Sequence, residues 1–213
     1  MTDSLERKEA QLAEIAREIA ACQLCPLHRL GRTRTVPGAG PANARIMFIG
    51  EAPGFNEDRQ GLPFVGRSGQ YLNYLLGTVG LSRKDVFIAN VIKCRPPDNR
   101  DPEAAELAAC KAYLDRQIEV IDPKVIITLG RFSMARYFPG ARITRIHGQP
   151  RRQDGRIYFP MFHPAAALRN PNLRAEMEAD MRKVMALIEE LDSSDTPPED
   201  DPPAGPPVQL SLF

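Results

Sequence analysis

The chain has 213 residues, of which 43% are hydrophobic, and this is enough for one buried core in a single globular domain. No run of about 18 apolar residues occurs and the N-terminus is polar and charged, so the sequence predicts neither a membrane protein nor an exported one. The formal net charge is +1, but the last 22 residues contain five acidic residues and no Lys or Arg. We therefore expect a cytoplasmic protein whose modestly basic body is compatible with a polyanionic partner.

The first predicted element is an amphipathic helix over residues 4–21, which ends before Cys22 and Pro26. Four short apolar runs then have the length of buried strands; they are residues 45–49, 86–90, 124–129 and 157–161. Helical patterns lie between and after these runs; they are residues 68–79, 102–121, 132–137 and 173–191. This alternation predicts an α/β fold, a three-layer αβα sandwich with a central, mainly parallel four-stranded sheet.

The composition changes near Asp192. Residues 1–191 form the predicted domain, and residues 192–208 are acidic and rich in proline, so we expect them to be a disordered linker. Residues 209–213 then end the chain with the apolar sequence Gln-Leu-Ser-Leu-Phe.

Unusual residues directly follow three of the predicted strands, where ligands bind in sheets of this kind. Glu51 lies in Gly50-Glu-Ala-Pro-Gly54, a tight turn that lets backbone approach a ligand, although a solvated Glu in an ordinary turn has the same pattern. Asn90 ends the second strand and has the donors and the acceptor to pair with a pyrimidine edge, or serves as a local cap. His163 follows the fourth strand and is either a hydrogen-bond donor to an anionic leaving group or a structural residue.

Four cysteines, Cys22, Cys25, Cys94 and Cys110, occur in this chain without an export signal. Disulfide bonds are disfavoured in that compartment, which leaves metal ligation or buried free thiols. The Cys-x-x-Cys pair with two further cysteines suits zinc and a [4Fe–4S] cluster equally well from spacing alone.

Taken together, the motifs resemble those of the family 4 uracil-DNA glycosylases. The order and spacing of the segments match that family over roughly residues 8–190; the segments are Gly50-Glu-Ala-Pro-Gly54, Leu62-Pro-Phe-Val-Gly66, Asn90 before Lys93-Cys-Arg-Pro-Pro97, and His163-Pro-Ala-Ala-Ala-Leu-Arg-Asn-Pro171. The resemblance implies a monofunctional enzyme that flips deoxyuridine out of DNA, hydrolyses its N-glycosidic bond and leaves an abasic site. Uracil-containing DNA is then the partner.

The resemblance also assigns roles to individual residues. It implies that Phe64 stacks on the flipped base and that Asn90 reads its Watson–Crick edge. Glu51, with Ala52 and Gly54, would line the pocket and help to place the attacking water, and His163 would donate to the uracil oxygen on which charge develops. Leu168 would act as a wedge in the DNA.

Among the ligand sets that the spacing leaves open, the resemblance selects a structural [4Fe–4S] cluster on the four cysteines. The end of the chain, in particular Gln209, Leu212 and Phe213, resembles the short peptide with which bacterial repair proteins bind the sliding clamp. We expect a nucleoid-associated monomer with no membrane partner. The alternative function is that of a catalytically weak iron–sulfur protein that binds DNA damage or transfers electrons.

Overall fold

The computed structural model describes residues 2–193, so the predictions for the linker beyond Ser193 and for Gln209, Leu212 and Phe213 lie outside the described residues. The described strands are β1 (Ile46–Gly50), β2 (Val86–Asn90), β3 (Val125–Leu129), β4 (Arg151–Gln153) and β5 (Arg156–Met161). The described helices are α1 (Thr2–Ala21), α2 (Phe55–Gln60), α3 (Arg67–Gly77), α4 (Ala104–Ile121), α5 (Arg131–Ala135), α6 (Ile143–Ile146), α7 (Pro164–Arg169) and α8 (Leu173–Ser193). Among residues 2–193, no helix is both long and apolar enough to cross a bilayer.

The strands form one sheet in the order β2-β1-β3-β5-β4. The first four of these pair in parallel, and β4 pairs antiparallel with β5 at one edge. The predicted α/β class and the mainly parallel sheet are confirmed, but the sheet has five strands rather than four. The extra strand is short and polar, so it has no hydrophobic signal; the Asp154-Gly155 turn before β5, with φ of +53° and +69°, is the hairpin signal that marks it.

Helices cover both faces of the sheet, as the three-layer prediction requires. On one face, α3 and α8 pack Leu72, Leu75 and Met181 against Phe48 and Phe159 of the sheet. On the other face, α4 and α1 pack against the side chains of opposite parity along the same strands; this second core includes Met47, Ile49, Ile126, Leu114 and Ile118. Because both faces are covered, β1, β2 and β3 are buried along their whole length and read as continuous apolar runs in the sequence.

The register of the sheet brings the ends of its strands to one edge. Gly50 at the end of β1 is opposite Asn90 at the end of β2, and Leu129 of β3 is opposite Met161 of β5. The segments that follow β1, β2 and β5 therefore meet above the carboxyl edge. The short helices α2, α6 and α7 were missed in the sequence because each is six residues or fewer and too short for a hydrophobic period.

Candidate active site

A cavity of about 290 Å³ opens at this carboxyl edge. It brings together five of the residues singled out in the sequence, which are Ala52, Gly54, Phe64, Asn90 and His163. Six further residues line it and were not assigned there; they are Phe55, Asn56, Glu57, Gly66, Arg67 and Ser68. The cavity has one aromatic floor residue and a few polar groups, the usual make-up of a small-molecule site.

Gly50 makes room for the two residues at the bottom of the cavity. A Cβ atom on Gly50 would lie 2.4 Å from Oδ1 of Asn90 and 2.6 Å from Cε2 and Cζ of the Phe64 ring. Both distances are far below van der Waals contact. The first glycine of the Gly50-Glu-Ala-Pro-Gly54 motif is therefore required by packing of the cavity floor.

The backbone around Phe64 is held in an unusual conformation. Its φ is +52°, and its carbonyl oxygen lies where a Cβ on Gly69 of α3 would be, at 1.7 Å. Arg83 donates hydrogen bonds to the carbonyl oxygens of Phe64 at 3.0 Å and of Pro63 at 2.6 Å. The ring, which is 6% exposed, is thereby fixed against the cavity, with its centre 5.6 Å from that of the His163 ring. No sequence signal pointed to Arg83.

Glu57 ties together the two loops that form the cavity wall. Its carboxylate accepts hydrogen bonds from the backbone N–H groups of Gly54 at 3.1 Å, Val65 at 2.8 Å and Gly66 at 2.7 Å. Charge-assisted bonds of this kind are about twice as strong as neutral ones. One carboxylate therefore sets the distance between the Gly54 turn and the Phe64 loop, a role that sequence reasoning missed.

Asn90 is almost fully buried, with 1% of its surface exposed. Its Oδ1 atom has no hydrogen-bond partner among the described residues. The backbone of Asn90 is fixed, since its carbonyl oxygen accepts a hydrogen bond of 2.9 Å from Nζ of the buried Lys93, which also donates to Gln117 at 2.8 Å. A buried acceptor without a partner is costly, and it is expected where a ligand supplies the donor.

His163 is a neutral hydrogen-bond donor toward the cavity. Its Nδ1 atom accepts a hydrogen bond of 3.1 Å from the backbone N–H of Ala165, so the ring proton is on Nε2. Burial, with the positive charge of Arg169 nearby, lowers the pKa of His163 to about 4. The ring is also positioned by Gly130, because a Cβ there would lie 3.0 Å from Cβ of His163.

Neither Glu51 nor Leu168 is among the described residues that line the cavity, so the expectation that Glu51 lines the pocket is wrong; Glu51 directly precedes Ala52, which does line it. Burial raises the pKa of Glu51, and the nearby carboxylate of Asp101 adds to the shift, while Arg131 and Arg169 oppose it. Leu168 is partly buried in α7 and packs against the core on the α3 side of the sheet. The positive charge of Arg169 thus acts on both Glu51 and His163.

The cysteines lie on the opposite side of this edge from α7. Cys25, Cys94 and Cys110 form a buried cluster, and Ala52 of the cavity wall packs against it. Arg32 joins the remaining cysteine to them, since its guanidinium donates to Sγ of Cys94 and to the carbonyl oxygen of Cys22, both at 3.0 Å.

Burial raises the pKa of the cluster thiols, to about 11 for Cys110. Within residues 2–193, no group of three or more His, Cys, Asp and Glu side chains is arranged to hold a metal ion.

Fold and cavity together define an α/β protein with a small-molecule cavity at the carboxyl edge of a mainly parallel sheet. Residues 37–187 match the family described as the uracil DNA glycosylase superfamily. The chain belongs to this superfamily.

Comparison with curated relatives narrows the assignment. The chain is 48% identical over 186 residues to the type-4 uracil-DNA glycosylase of Sulfurisphaera tokodaii, and the alignment covers 83% of this chain and 84% of the relative. It is 50% identical over 186 residues to that of Saccharolobus solfataricus, with 82% and 85% covered. A type-5 uracil-DNA glycosylase of Pyrobaculum aerophilum is only 31% identical over 150 residues, 62% of this chain and 66% of the relative. Within the superfamily, the chain is therefore a member of the type-4 branch.

Proposed function

We propose that this chain is a DNA-repair glycosylase that hydrolyses the N-glycosidic bond of deoxyuridine in DNA, releases uracil and leaves an abasic site. The observation that carries the proposal is the unpaired Oδ1 of Asn90 on the floor of a cavity that also contains the Phe64 ring and the Nε2–H of His163. These are an acceptor, a stacking surface and a donor, which are the groups needed to hold a uracil and to stabilise it as a leaving group.

Asn90 selects uracil by its hydrogen-bonding pattern. Oδ1 accepts from the imide N3–H of uracil, and the amide nitrogen donates to the neighbouring carbonyl oxygen. Cytosine presents an acceptor at N3 and an amino donor beside it, so the same side chain in the same orientation opposes it with like groups. Discrimination arises because the buried oxygen remains unpaired unless the base supplies a donor.

His163 stabilises the leaving group. When the glycosidic bond breaks, positive charge develops on the sugar and negative charge on uracil, and a donor already aimed at the base oxygen lowers the barrier. Because the pKa of His163 is lowered to about 4, the ring donates as neutral imidazole at physiological pH. The bond from Ala165 to Nδ1 keeps the proton on the nitrogen that faces the base.

Glu51 acts on the water that attacks the sugar. It directly precedes Ala52 of the lining without being part of the lining itself, which suits a group that holds water under the sugar and not the base. Its raised pKa makes the carboxylate a stronger base than an exposed Glu. The reaction is monofunctional: the described lining contains no lysine, and Lys93 directs its amine to Gln117 and to the carbonyl oxygen of Asn90.

The nucleotide reaches the cavity by base flipping. A base inside a duplex is inaccessible, and extruding it costs a few kcal/mol of stacking and pairing energy. Leu168, on the short helix that begins just after His163, fills the space left in the duplex. Stacking of the flipped uracil on Phe64 offsets part of the cost.

The four cysteines are the residues that would hold a [4Fe–4S] cluster. Four thiols meet the ligand requirement, in which each iron takes one thiolate, and three of them already share a buried cluster. Arg32 donates to Cys94, as hydrogen bonds to cluster sulfurs do. Cys22 and Cys25 follow α1, Cys94 follows β2 and Cys110 belongs to α4, so these residues would join the three segments if they held the cluster, and Ala52 of the cavity wall packs against the buried cysteines.

The last five residues bind the sliding clamp. The support for this part of the proposal is the sequence itself, an apolar Leu/Phe anchor at the end of an acidic, Pro-rich segment of suitable length for a tether. Such a tether keeps the enzyme at replicating DNA, in the nucleoid. Deletion of residues 209–213 should abolish binding to purified clamp and leave uracil release unchanged; retained clamp binding would refute the assignment.

The test of the main proposal is uracil release from a single-uracil oligonucleotide by the cluster-loaded protein. Asn90→Ala and His163→Ala are expected to lose most of the activity, because they remove the base-reading group and the donor to the leaving group. Tight binding of the same DNA without release would instead favour the damage-binding alternative.

A further inference from the structure

The mouth of the cavity carries an exposed aromatic ring that the proposed reaction does not use. Phe55 is the first residue of α2 and lines the cavity, yet 51% of it is exposed. The other large hydrophobic residues with comparable exposure in the described chain, which are Leu24, Leu30, Leu62 and Tyr74, do not line the cavity. Phe55 therefore offers an apolar face to a ligand at the entrance of the cavity.

Two guanidinium groups flank this ring. Cζ of Arg59 lies 5.6 Å and Cζ of Arg95 lies 5.3 Å from the centre of the Phe55 ring, within the range of cation–π contact. Arg59 comes from α2 and Arg95 from the loop after β2, where its Nε donates to Asn99 at 2.8 Å. Neither arginine forms an ion pair with a carboxylate among residues 2–193, so both charges are available to an anion.

We propose that Phe55, Arg59 and Arg95 form a stacking platform for the unpaired base next to the flipped uridine, with the guanidinium groups binding the adjoining phosphates. This inference rests on the proposed function and names its preferred substrate as single-stranded DNA. Aromatic rings flanked by positive charge are the common means of holding single strands, and they accept any base because every base has a π face.

Geometry explains why the platform serves unpaired DNA. Phe55 adjoins Gly54 of the uracil pocket, so the nucleotide that reaches the ring is a close neighbour of the flipped one. In a duplex that neighbour remains stacked and paired, and taking it out would cost a few kcal/mol more. In a single strand the base is already free to leave its neighbours, so stacking on the ring is a net gain.

The test measures binding of a single-stranded oligonucleotide that contains one 2′-fluoro-deoxyuridine, which resists cleavage, between thymidines. Phe55→Ala is expected to weaken binding at least about fivefold, since loss of one base–aromatic stack has that effect or more, and Phe55→Trp to restore it. Tyr74→Ala is the matched control, because Tyr74 is 53% exposed but lies outside the cavity, and it should leave binding unchanged.

The base that stacks is identified by removing it. In oligonucleotides with an abasic spacer on the 5′ or the 3′ side of the uridine, one of the two spacers should weaken binding by the unaltered chain as much as Phe55→Ala does. With that spacer present, Phe55→Ala should have no further effect on binding, because in a double-mutant cycle two changes that delete the same contact are not additive. If the loss of binding caused by Phe55→Ala adds to the loss caused by the spacer, for the 5′ and for the 3′ spacer alike, the platform is refuted.

The strand preference provides the second arm. Phe55→Ala should change binding of the corresponding duplex by less than twofold, and an equal loss on duplex and single strand would overturn the inference. Uracil release from the ordinary deoxyuridine oligonucleotide is measured alongside. If the unaltered chain releases no uracil, the proposed function fails, whereas release with unchanged binding in Phe55→Ala refutes only the platform.

Discussion

Replacement of Asn90 by leucine separates the stability of the protein from its activity. Oδ1 of Asn90 is buried and has no partner among residues 2–193, so the free enzyme carries an unsatisfied acceptor. Leucine has the same number of side-chain heavy atoms and no acceptor. We predict that Asn90→Leu does not destabilise the fold and abolishes most uracil release.

The expected changes in stability and in kcat/KM follow from the hydrogen bonds that Asn90 makes and lacks. An unsatisfied buried acceptor costs about 1–3 kcal/mol, so its removal allows a gain of up to that amount, or roughly 2–4 °C in Tm per kcal/mol for a chain of this length. Crowding against Gly50 reduces the gain, because this residue approaches Oδ1 closely. In Asn90→Leu, uracil enters the cavity with its imide N–H unpaired. This raises the free energy of the transition state by at least about 2 kcal/mol, which lowers kcat/KM roughly 30-fold.

The assay pairs thermal unfolding with single-turnover uracil release at matched cluster content. Asn43→Leu is the control, because Asn43 is exposed and lies just before β1, at the opposite end of that strand from the cavity. Uracil release by Asn90→Leu within threefold of the unaltered chain would show that the amide does not read the base. A loss of more than about 1 kcal/mol in stability would show that Oδ1 has a structural partner.

Three further variants test other parts of the site. Gly50→Ala should lower uracil release at least tenfold in the same assay, since its Cβ collides with Phe64, and unchanged activity would mean that the cavity floor yields. Glu51→Gln should remove the acid limb of the pH profile of kcat/KM, which the raised pKa of Glu51 shifts to higher pH than an exposed Glu would give; if the limb persists, it belongs to another group. Cys110→Ser should abolish the visible absorbance of the cluster and lower Tm, and full absorbance would exclude Cys110 as a ligand.

The pH dependence of stability supplies an independent test of His163. Its pKa is about 4 in the folded protein and near 6.5 when unfolded, so the unfolded state binds more protons between these values. Stability should therefore fall as the pH is lowered from about 6.5 to about 4. In His163→Gln the fall should be smaller, as measured by denaturant unfolding at several pH values; an identical slope in both proteins would contradict the assigned pKa.

The sequence by itself determined the α/β class, the four long strands and the residues on the cavity floor. Strands buried on both faces leave continuous apolar runs, and the residues after them, such as Asn90 and His163, are identified by motif and by their place at strand ends. The short edge strand β4 carries no such run, so only pairing with β5 revealed it.

Only the tertiary structure decided how the site is held together. The bonds from Val65 and Gly66 to Glu57 and the two bonds from Arg83 join residues that lie 8 to 20 positions apart, and such bonds leave no periodic signal in a sequence. The same holds for the unpaired oxygen of Asn90 and for the protonated nitrogen of His163, because each depends on which neighbouring groups are within hydrogen-bond distance. Sequence identifies chemical groups, whereas their partners are set by distances that exist only once the chain has folded.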